Sequence, residues 1–447
     1  MSDSTRLGRA RGKMLPVSIV AVALIALLAI VPVASAATPN PVASATTTLT
    51  IKSSVMKSLK KAGVKLTAVK PAKLKGSKLT LTVNGGEIEA ATGKGIIAHG
   101  GGLKIKAGKK SVTLKSFSLN SKNKSLSAKV GGKNVKLAAL ASVTSSRLGF
   151  GNSIAAKKVK LTSAGAKALN KALAPAKKKG QKAPKPAFKA NTVLGSSTTQ
   201  VEPLTDNVLP TGTMTFAGSP GLLGKLAKAE VKVELIAPTT EASILTYNSP
   251  LSGGTISPLG TSGTVNSSGG LKLTQKLKLE ALGQEANTSI TLGSIGVDLA
   301  AKTSSVEVIG ESTFVEPGSN PAKKPLNLGN LGRSSIADLT ISSTPNPATR
   351  TVAVSATGAI QPVAAEVLNG FVKVHEISTI EKLTPEEAEK AYIELVLEGA
   401  TPGPETEAKA AKIGQERAEK KAAEEAKELE IKSGETLGTY SFVATGE

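Results

Sequence analysis

The sequence contains no cysteine and no tryptophan, and it has only three tyrosines and two histidines among its 447 residues. The absence of cysteine excludes disulfide bonds, thiolate metal sites and cysteine nucleophiles. Two histidines are too few for a zinc site made of several imidazoles. Because aromatic side chains are scarce, platforms that stack on nucleic-acid bases or sugar rings are scarce as well.

Motifs that support catalysis are also missing. The chain has no Gly-x-Ser-x-Gly sequence, and its glycine runs do not connect a strand to a helix as nucleotide-binding loops do. Glu87 and Glu89 are two residues apart on one predicted strand, which we interpret as two solvated carboxylates rather than a glycosidase pair. The sequence therefore predicts a binding protein with no catalytic residues and no metal site.

The first 36 residues have the pattern of a secretory signal peptide. A basic segment from Arg6 to Lys13 precedes an apolar run from Val17 to Val31, and Ala34-Ser35-Ala36 offers the small residues that signal peptidase accepts. The apolar run is nearly long enough to span a bilayer, so an uncleaved membrane anchor is the alternative. In both cases we expect the remaining chain to be secreted or held at the cell surface.

Positive charge is concentrated in the first half of the chain. Residues 37–203 carry 32 basic and three acidic side chains, a net charge of +29, whereas residues 204–447 carry a net charge of −8. A basic region outside the cell attracts anionic polymers or lipid headgroups. The alternative is a lysine-rich surface that only keeps the protein soluble.

The chain contains an internal duplication. The segment Val83–Ile105 aligns without gaps on Leu251–Leu273, 168 residues later, with several glycines in equivalent positions. Four shorter segments match in the same order, at offsets that grow from 167 to 243 residues. Such a series predicts two tandem copies, which we place at residues 45–203 and 204–447.

Each copy is predicted to be mainly β. Apolar and polar residues alternate in segments such as Leu79–Val83, and glycine-rich turns separate these segments. Two short helices are predicted in the first copy, over Ser53–Gly63 and Ser163–Leu173. The predicted fold is therefore two tandem β-sandwich-like domains, each with short helices.

The second copy carries a predicted helical insertion at about residues 381–431. Thr384-Pro385-Glu386-Glu387 has the pattern of a capping box, which predicts a helix that begins there and ends at Gly399. A second helix, over Glu405–Ile431, has little apolar stripe and is predicted to be solvated. This insertion is a candidate contact for a protein partner. Upstream, we interpret His375 as a solvated residue at a strand end.

The order of these features resembles the HtaA domain, a β-rich module of actinobacterial surface proteins involved in haem uptake. The resemblance is carried by the predicted helix of Ser53–Gly63, the sequence His99-Gly100-Gly101-Gly102-Leu103, the segment Ala166–Asn170 and the closing Thr192–Gly195. It covers both copies and implies a haem-binding protein, in which a tyrosine near the first helix ligates iron and the histidine supports it. Neither copy has that tyrosine, and Ser267 replaces the histidine in the second copy.

Two side chains are therefore candidate haem contacts. His99 matches the histidine of the resemblance and is the first candidate, and Tyr247, which aligns with Leu79, is a weaker one. Haem is the candidate cofactor on the first interpretation. On the second, the chain is an envelope protein whose basic first copy binds anionic wall polymers or lipid headgroups. Nucleic acid is a less favoured partner because lysine dominates over arginine.

Overall fold

The computed structural model describes residues 39–174, 186–279, 284–313 and 329–447, in which the chain is mainly β. The strands of the first half are β1 (Asn40–Ile51), β2 (Val64–Val69), β3 (Lys73–Lys75), β4 (Lys78–Glu89), β5 (Lys94–Ala107), β6 (Lys110–Asn120), β7 (Ser125–Val130), β8 (Lys133–Leu148), β9 (Gly151–Leu161) and β10 (Val193–Pro203). Those of the second half are β11 (Asp206–Asn207), β12 (Thr213–Gly218), β13 (Val231–Ile236), β14 (Thr240–Ser243), β15 (Thr246–Ile256), β16 (Thr264–Ser267), β17 (Gly270–Leu279), β18 (Gln284–Asp298), β19 (Thr303–Ser312), β20 (Gly329–Asn346), β21 (Thr351–Ile360) and β22 (Thr436–Thr445). The helices are α1 (Ser53–Lys61), α2 (Ser163–Leu173), α3 (Pro220–Lys228), α4 (Pro362–Leu397) and α5 (Pro404–Leu429).

The first ten strands form one sheet that closes on itself. Their order is β2-β5-β6-β7-β8-β9-β10-β1-β4-β3, and β4 pairs with both β1 and β5. Alternation along each strand decides which side chains face inward. Along β5, Leu103 and Ile105 are buried in the core of the first sheet, whereas the alternating residues Lys104 and Lys106 are exposed. Helices α1 and α2 supply Leu59 and Leu169 to the same core.

The second sheet contains the remaining twelve strands and closes in a similar way. Its main path runs β11-β15-β12-β22-β21-β20-β19-β18-β17-β13, and β16 joins β15 to β18. Strands β16 and β17 together take the place that the single strand β5 has in the first sheet.

The two sheets share strand register at the offsets of the sequence repeat. Val83 pairs with His99 in the first sheet, and Leu251 pairs with Ser267 in the second, 168 residues later in both strands. The register shifts directly after each of these pairs. The equivalence therefore extends from the sequence to the hydrogen-bonded ladders.

Helix α4 is longer than the sequence predicts. It runs without interruption from Pro362 to Leu397 and contains Pro385 in its interior, so the predicted start at Thr384 is wrong. The Thr384 hydroxyl donates to the carbonyl of Ile380, one turn earlier, instead of capping a new helix. His375 lies in this helix and is buried, which corrects its interpretation as a solvated strand-end residue.

Helix α5 packs along α4 through small side chains. Its buried positions include Ala410, Gly414, Ala418 and Ala422, which recur every four residues and therefore lie on one face. A Cβ atom at Gly414 would stand 2.4 Å from the backbone nitrogen of Ala388, so the two helices are in close contact. The prediction of a solvated helix missed this face because alanine and glycine give little hydrophobic signal.

Residues Thr38–Glu447 form one compact unit. Within it, strand β10 of the first sheet ends at Pro203 and β11 of the second begins at Asp206, next to the predicted boundary at 203 and 204. That boundary stays a prediction, and the predicted signal peptide lies outside the described residues. Among the described residues, no helix combines the length and the apolar character needed to cross a membrane.

Candidate functional site

His99 lies in a buried hydrogen-bond network inside the first sheet. Its side chain is 1 % exposed. Nε2 lies 2.7 Å from the Thr47 hydroxyl, which is 2.8 Å from the Thr199 hydroxyl, and Nδ1 lies 3.3 Å from the carbonyl oxygen of Phe117. The carbonyl can only accept, so we assign the proton to Nδ1. Nε2 then accepts from Thr47, and Thr47 accepts from Thr199.

The His99 imidazole is neutral in this environment. Burial lowers the pKa of His99 to about 4, against the smaller opposing effect of hydrogen bonds to the backbone of Phe117 and Ile97. With Nδ1 donating and Nε2 accepting, both ring nitrogens are used by the protein itself. In this arrangement neither nitrogen is available to a haem iron, and a role for His99 in haem binding stays a prediction.

The glycines beside His99 form a bulge in β5. The register with β6 shifts between His99 and Gly102, and Gly101 has φ of +76°. A Cβ atom at Gly101 would stand 2.5 Å from the backbone nitrogen of Ala72. The bulge lets one strand pair first with β4 and then with β2. These glycines therefore serve strand geometry and the approach of the neighbouring chain.

The residues at the equivalent positions of the second sheet do not form this chain of hydrogen bonds. Strand registers place Met214 where Thr47 is, Ser267 where His99 is and Phe442 where Thr199 is. The Ser267 hydroxyl reaches the carbonyl oxygen of Ile295 at 3.4 Å, as His99 reaches that of Phe117.

Tyr247, the second candidate, belongs to a cluster of aromatic side chains in the second sheet. Its ring stacks on Phe216 with centroids 6.5 Å apart, and Phe216 lies 5.0 Å from the Tyr440 ring. The Tyr440 hydroxyl lies 3.0 Å from that of Ser304, and burial raises the pKa of Tyr440 to about 12. Burial also raises the pKa of Tyr247, with a smaller contribution from Glu241. The structure does not bring Tyr247 near His99, which is in the other sheet.

The other histidine lies in the helical pair. His375 Nε2 is 3.4 Å from a carboxylate oxygen of Glu425, and Nδ1 is buried with no hydrogen-bond partner among the described residues. Within the same part of the chain, no group of three or more histidine and acidic side chains could hold a metal ion.

A cavity of about 640 Å³ lies inside the first sheet, and no motif in the sequence predicts it. Most of its wall is aliphatic, with Phe117 and Phe188 as aromatic members. The inward side chains of several strands and the two helices meet there, among them Leu49, Leu79, Leu103, Leu114, Leu59 and Leu169. The exposed members, including Lys52 and Lys189, lie on its open side. Neither His99 nor Tyr247 lines the cavity.

The outer surface of the same strands is a basic face. We define it by six exposed lysines on β2 and β5 to β8, namely Lys65, Lys104, Lys106, Lys115, Lys129 and Lys136. Lys65 pairs directly with Lys106, and Lys115 pairs directly with Lys129. Within the described residues, none of the six is in an ion pair with an acidic side chain.

The second sheet has mixed charge on the equivalent face. Glu307 occupies the position of Lys129 and pairs with Gly293, which occupies that of Lys115. Thr274 occupies the position of Lys106 and donates a hydrogen bond to Glu234. The dense positive charge is therefore a property of the first sheet.

No protein-family model and no curated protein matches the chain. Among solved structures, the chain is similar to the C-terminal domain of HtaA from Corynebacterium glutamicum, with 14 % sequence identity and a TM-score of 0.27. The similarity covers 36 % of this chain and 98 % of that domain. A structural similarity of that size carries no inference about ligand or function.

Proposed function

We propose that the chain is an exported, non-catalytic binding protein whose first sheet attaches to phosphate-bearing anionic surfaces of the cell envelope through the basic face. The observation that carries the proposal is the direct pairing of Lys65 with Lys106 and of Lys115 with Lys129. Like charges directly opposite each other on a sheet destabilise it, so the folded state alone gains nothing from this arrangement.

The chemistry of the basic face favours phosphate groups. A lysine ammonium group is a compact point charge that binds phosphate without the planar, bidentate geometry of arginine. The six lysines occupy outward positions on several adjacent strands, so their charges are distributed over an area and not along a line. This distribution suits a surface that carries many anions. Solubility alone would be served by charges of both signs, as on the equivalent face of the second sheet. Phosphodiesters of a wall polymer and phospholipid headgroups offer the same chemistry.

Haem is the ligand that the sequence resemblance implies, and the described residues do not fit iron coordination. The described lining of the cavity contains no histidine, tyrosine, cysteine or methionine, and both nitrogens of His99 are already used. We therefore do not propose haem as the ligand, and we include it in the experiments as a competitor.

Binding to vesicles tests the proposal. We expect residues 38–447 to sediment with phosphatidylglycerol vesicles and not with phosphatidylcholine vesicles, and to bind soluble polyphosphate in a separate titration. Raising the salt concentration from 50 to 200 mM should weaken both interactions strongly, because released counterions supply the affinity. If the protein binds polyphosphate but not the vesicles, the ligand of the basic face is a phosphate-bearing polymer and not a lipid surface.

Charge reversal on the basic face supplies the matched comparison. The double variant Lys106→Glu/Lys129→Glu should weaken vesicle binding about 30-fold or more, since each lysine near an anionic surface contributes about 1 kcal/mol. The control Lys232→Glu/Lys276→Glu makes the same change of charge on exposed residues of the second sheet. Equal losses in the two double variants would mean that net charge, and not this face, causes the binding.

A further inference from the structure

The cavity of the first sheet is much larger than a space that lies against the second sheet. That space is about 50 Å³, compared with about 640 Å³ for the cavity in the first sheet. The two spaces overlap in part within the repeat, because Leu368 and Leu437 line the small one and their equivalents Leu169 and Leu194 line the large one. The fold of the repeat therefore does not itself require a hollow interior.

Two lining positions of the cavity carry larger side chains in the second sheet. The strand registers make Leu49 and Leu79 the equivalents of Phe216 and Tyr247. In the second sheet the Phe216 ring stacks on Tyr247 and also lies 5.0 Å from the Tyr440 ring, so aromatic side chains take up space there. In the first sheet, smaller side chains leave the space open. Ligand sites commonly have about 300–1,000 Å³ and mainly apolar walls, and this cavity has both properties.

We propose that this cavity binds the aliphatic chain of an amphiphile that carries an anionic headgroup, such as a fatty acid or an alkyl phosphate. The wall provides apolar contact along its length, and the described lining offers neither an iron ligand nor an aromatic cage for a flat ring system. An alkyl chain needs only to be removed from water, which is what such a wall provides.

The open side of the cavity explains the choice of headgroup. Lys52 and Lys189 are both exposed members of the lining, and Ser54 and Ser58 add hydroxyl groups there. Helix α1 also begins at this edge, and its first turn contains no acidic side chain. The amino-terminal end of a helix carries partial positive charge, which adds to that of the lysines. An anionic headgroup is favoured at this opening, with the chain extending inward.

Chain length provides the first test. We would titrate residues 38–447 with dodecanoate, tetradecanoate and hexadecanoate below their micellar concentrations and measure each dissociation constant by calorimetry. Each additional pair of methylene groups should tighten binding about tenfold until the cavity is full. An affinity that does not depend on chain length would overturn the proposal. Tight binding of haem, with no binding of any of the three acids, would do so as well.

Filling the cavity provides the second test. The variant Leu49→Phe/Leu79→Tyr introduces the side chains of the second sheet at the equivalent positions, and it should abolish hexadecanoate binding. The control Leu148→Phe/Leu204→Tyr makes the same chemical changes at exposed leucines and should bind normally. Circular dichroism and thermal unfolding identify a variant that fails to fold. Normal hexadecanoate binding by the folded, filled variant would refute the assignment of the site.

The headgroup provides the third test, and it uses a protein whose interior is unchanged. The variant Lys52→Gln/Lys189→Gln should weaken binding of hexadecanoate and hexadecyl phosphate about tenfold and leave hexadecanol binding unchanged. Equal effects on the acid and the alcohol would remove the anionic headgroup from the proposal. The residues changed in these three tests are not those of the basic face, so this inference and the proposed function succeed or fail separately.

Discussion

At the scale of single residues, His99 shows how burial decides the role of a side chain. A histidine among glycines is a natural candidate ligand when only the sequence is read. In the folded chain the two ring nitrogens of His99 form hydrogen bonds with the Thr47 hydroxyl and the Phe117 carbonyl. Burial lowers the pKa of His99 to about 4. The imidazole is therefore a neutral member of the core, held by hydrogen bonds to Thr47 and to the backbone of Phe117.

The lowered pKa of His99 makes stability depend on pH. Between about pH 4 and pH 6.5 the unfolded chain binds a proton at this histidine and the folded chain does not, so stability rises with pH in that window. The full contribution is present above about pH 6.5, and about 3 kcal/mol of it is lost by pH 4. We expect the variant His99→Gln to lack this part of the pH dependence.

Urea unfolding at intervals between pH 4 and pH 7 measures the effect. The free energies of unfolding of the wild type and of His99→Gln should converge as the pH falls, because carboxylate titration is common to both. Parallel curves over the whole range would contradict a neutral, buried His99.

At the scale of elements, the two copies use the same asparagine to fix the chain after each helix. The Asn170 side chain donates a hydrogen bond to the carbonyl oxygen of Phe188 and accepts one from its backbone N–H. Asn369 makes the same two hydrogen bonds with Ile431. The segments between them differ greatly in length. The segment Ala166–Asn170, which ends in one of these asparagines, was recognisable in the sequence. The role of the asparagine became clear only from its hydrogen bonds.

Close packing of α4 on α5 depends on the absence of a side chain at Gly414. We expect Gly414→Ala to lower the free energy of unfolding by about 2 kcal/mol, because a Cβ atom there would overlap the backbone of Ala388 and the helices would have to separate. Hydrogen exchange of the α5 amides should accelerate in the variant.

The same substitution elsewhere provides the control. Gly224 lies in α3, and a Cβ atom added there meets nothing within 4 Å. Gly224→Ala should therefore stabilise the chain by up to about 1 kcal/mol, since alanine has the higher helix propensity. A similar loss in the free energy of unfolding in both variants would show that close contact between α4 and α5 does not cause the loss at Gly414.

At the scale of the whole molecule, Arg147 connects the two sheets. It donates to the backbone carbonyls of Ala90 and Phe150 on the side of the first sheet. On the other side it binds Asp206 at 2.6 Å and the backbone carbonyl oxygen of Glu447. The Phe150 ring itself belongs to the core of the second sheet. The two sheets are thus joined by a buried carboxylate and by shared packing.

Removing the carboxylate should weaken this junction. Asp206→Ala leaves Arg147 without its charged partner in a largely buried place, and we expect a loss of about 3 kcal/mol in the free energy of unfolding. The control Glu202→Ala removes a nearby exposed carboxylate and should change stability by less than about 0.5 kcal/mol. A loss at Asp206 no larger than that of the control would mean that the ion pair does not hold the sheets together.

The β class, the duplication and the separation of charge follow from the sequence by itself. Alternation in Leu103-Lys104-Ile105-Lys106 is a local property of a strand, and it fixes both the apolar inner wall and the lysines outside. Repeated segments and lysine counts are equally independent of the fold. Helix boundaries were less accurate, because packing against α5 overrides the local preference of Pro385 to begin a helix.

The cavity, the His99 network and the junction were decided only by the tertiary structure. Each depends on side chains that are distant in the sequence and come together in the fold, as Leu49 and Leu79 do through strand pairing at the cavity. Whether an interior is hollow or filled depends on the combined volume of those partners, which no single segment specifies. The sequence determined which residues face inward, and the closed sheet determined what they enclose.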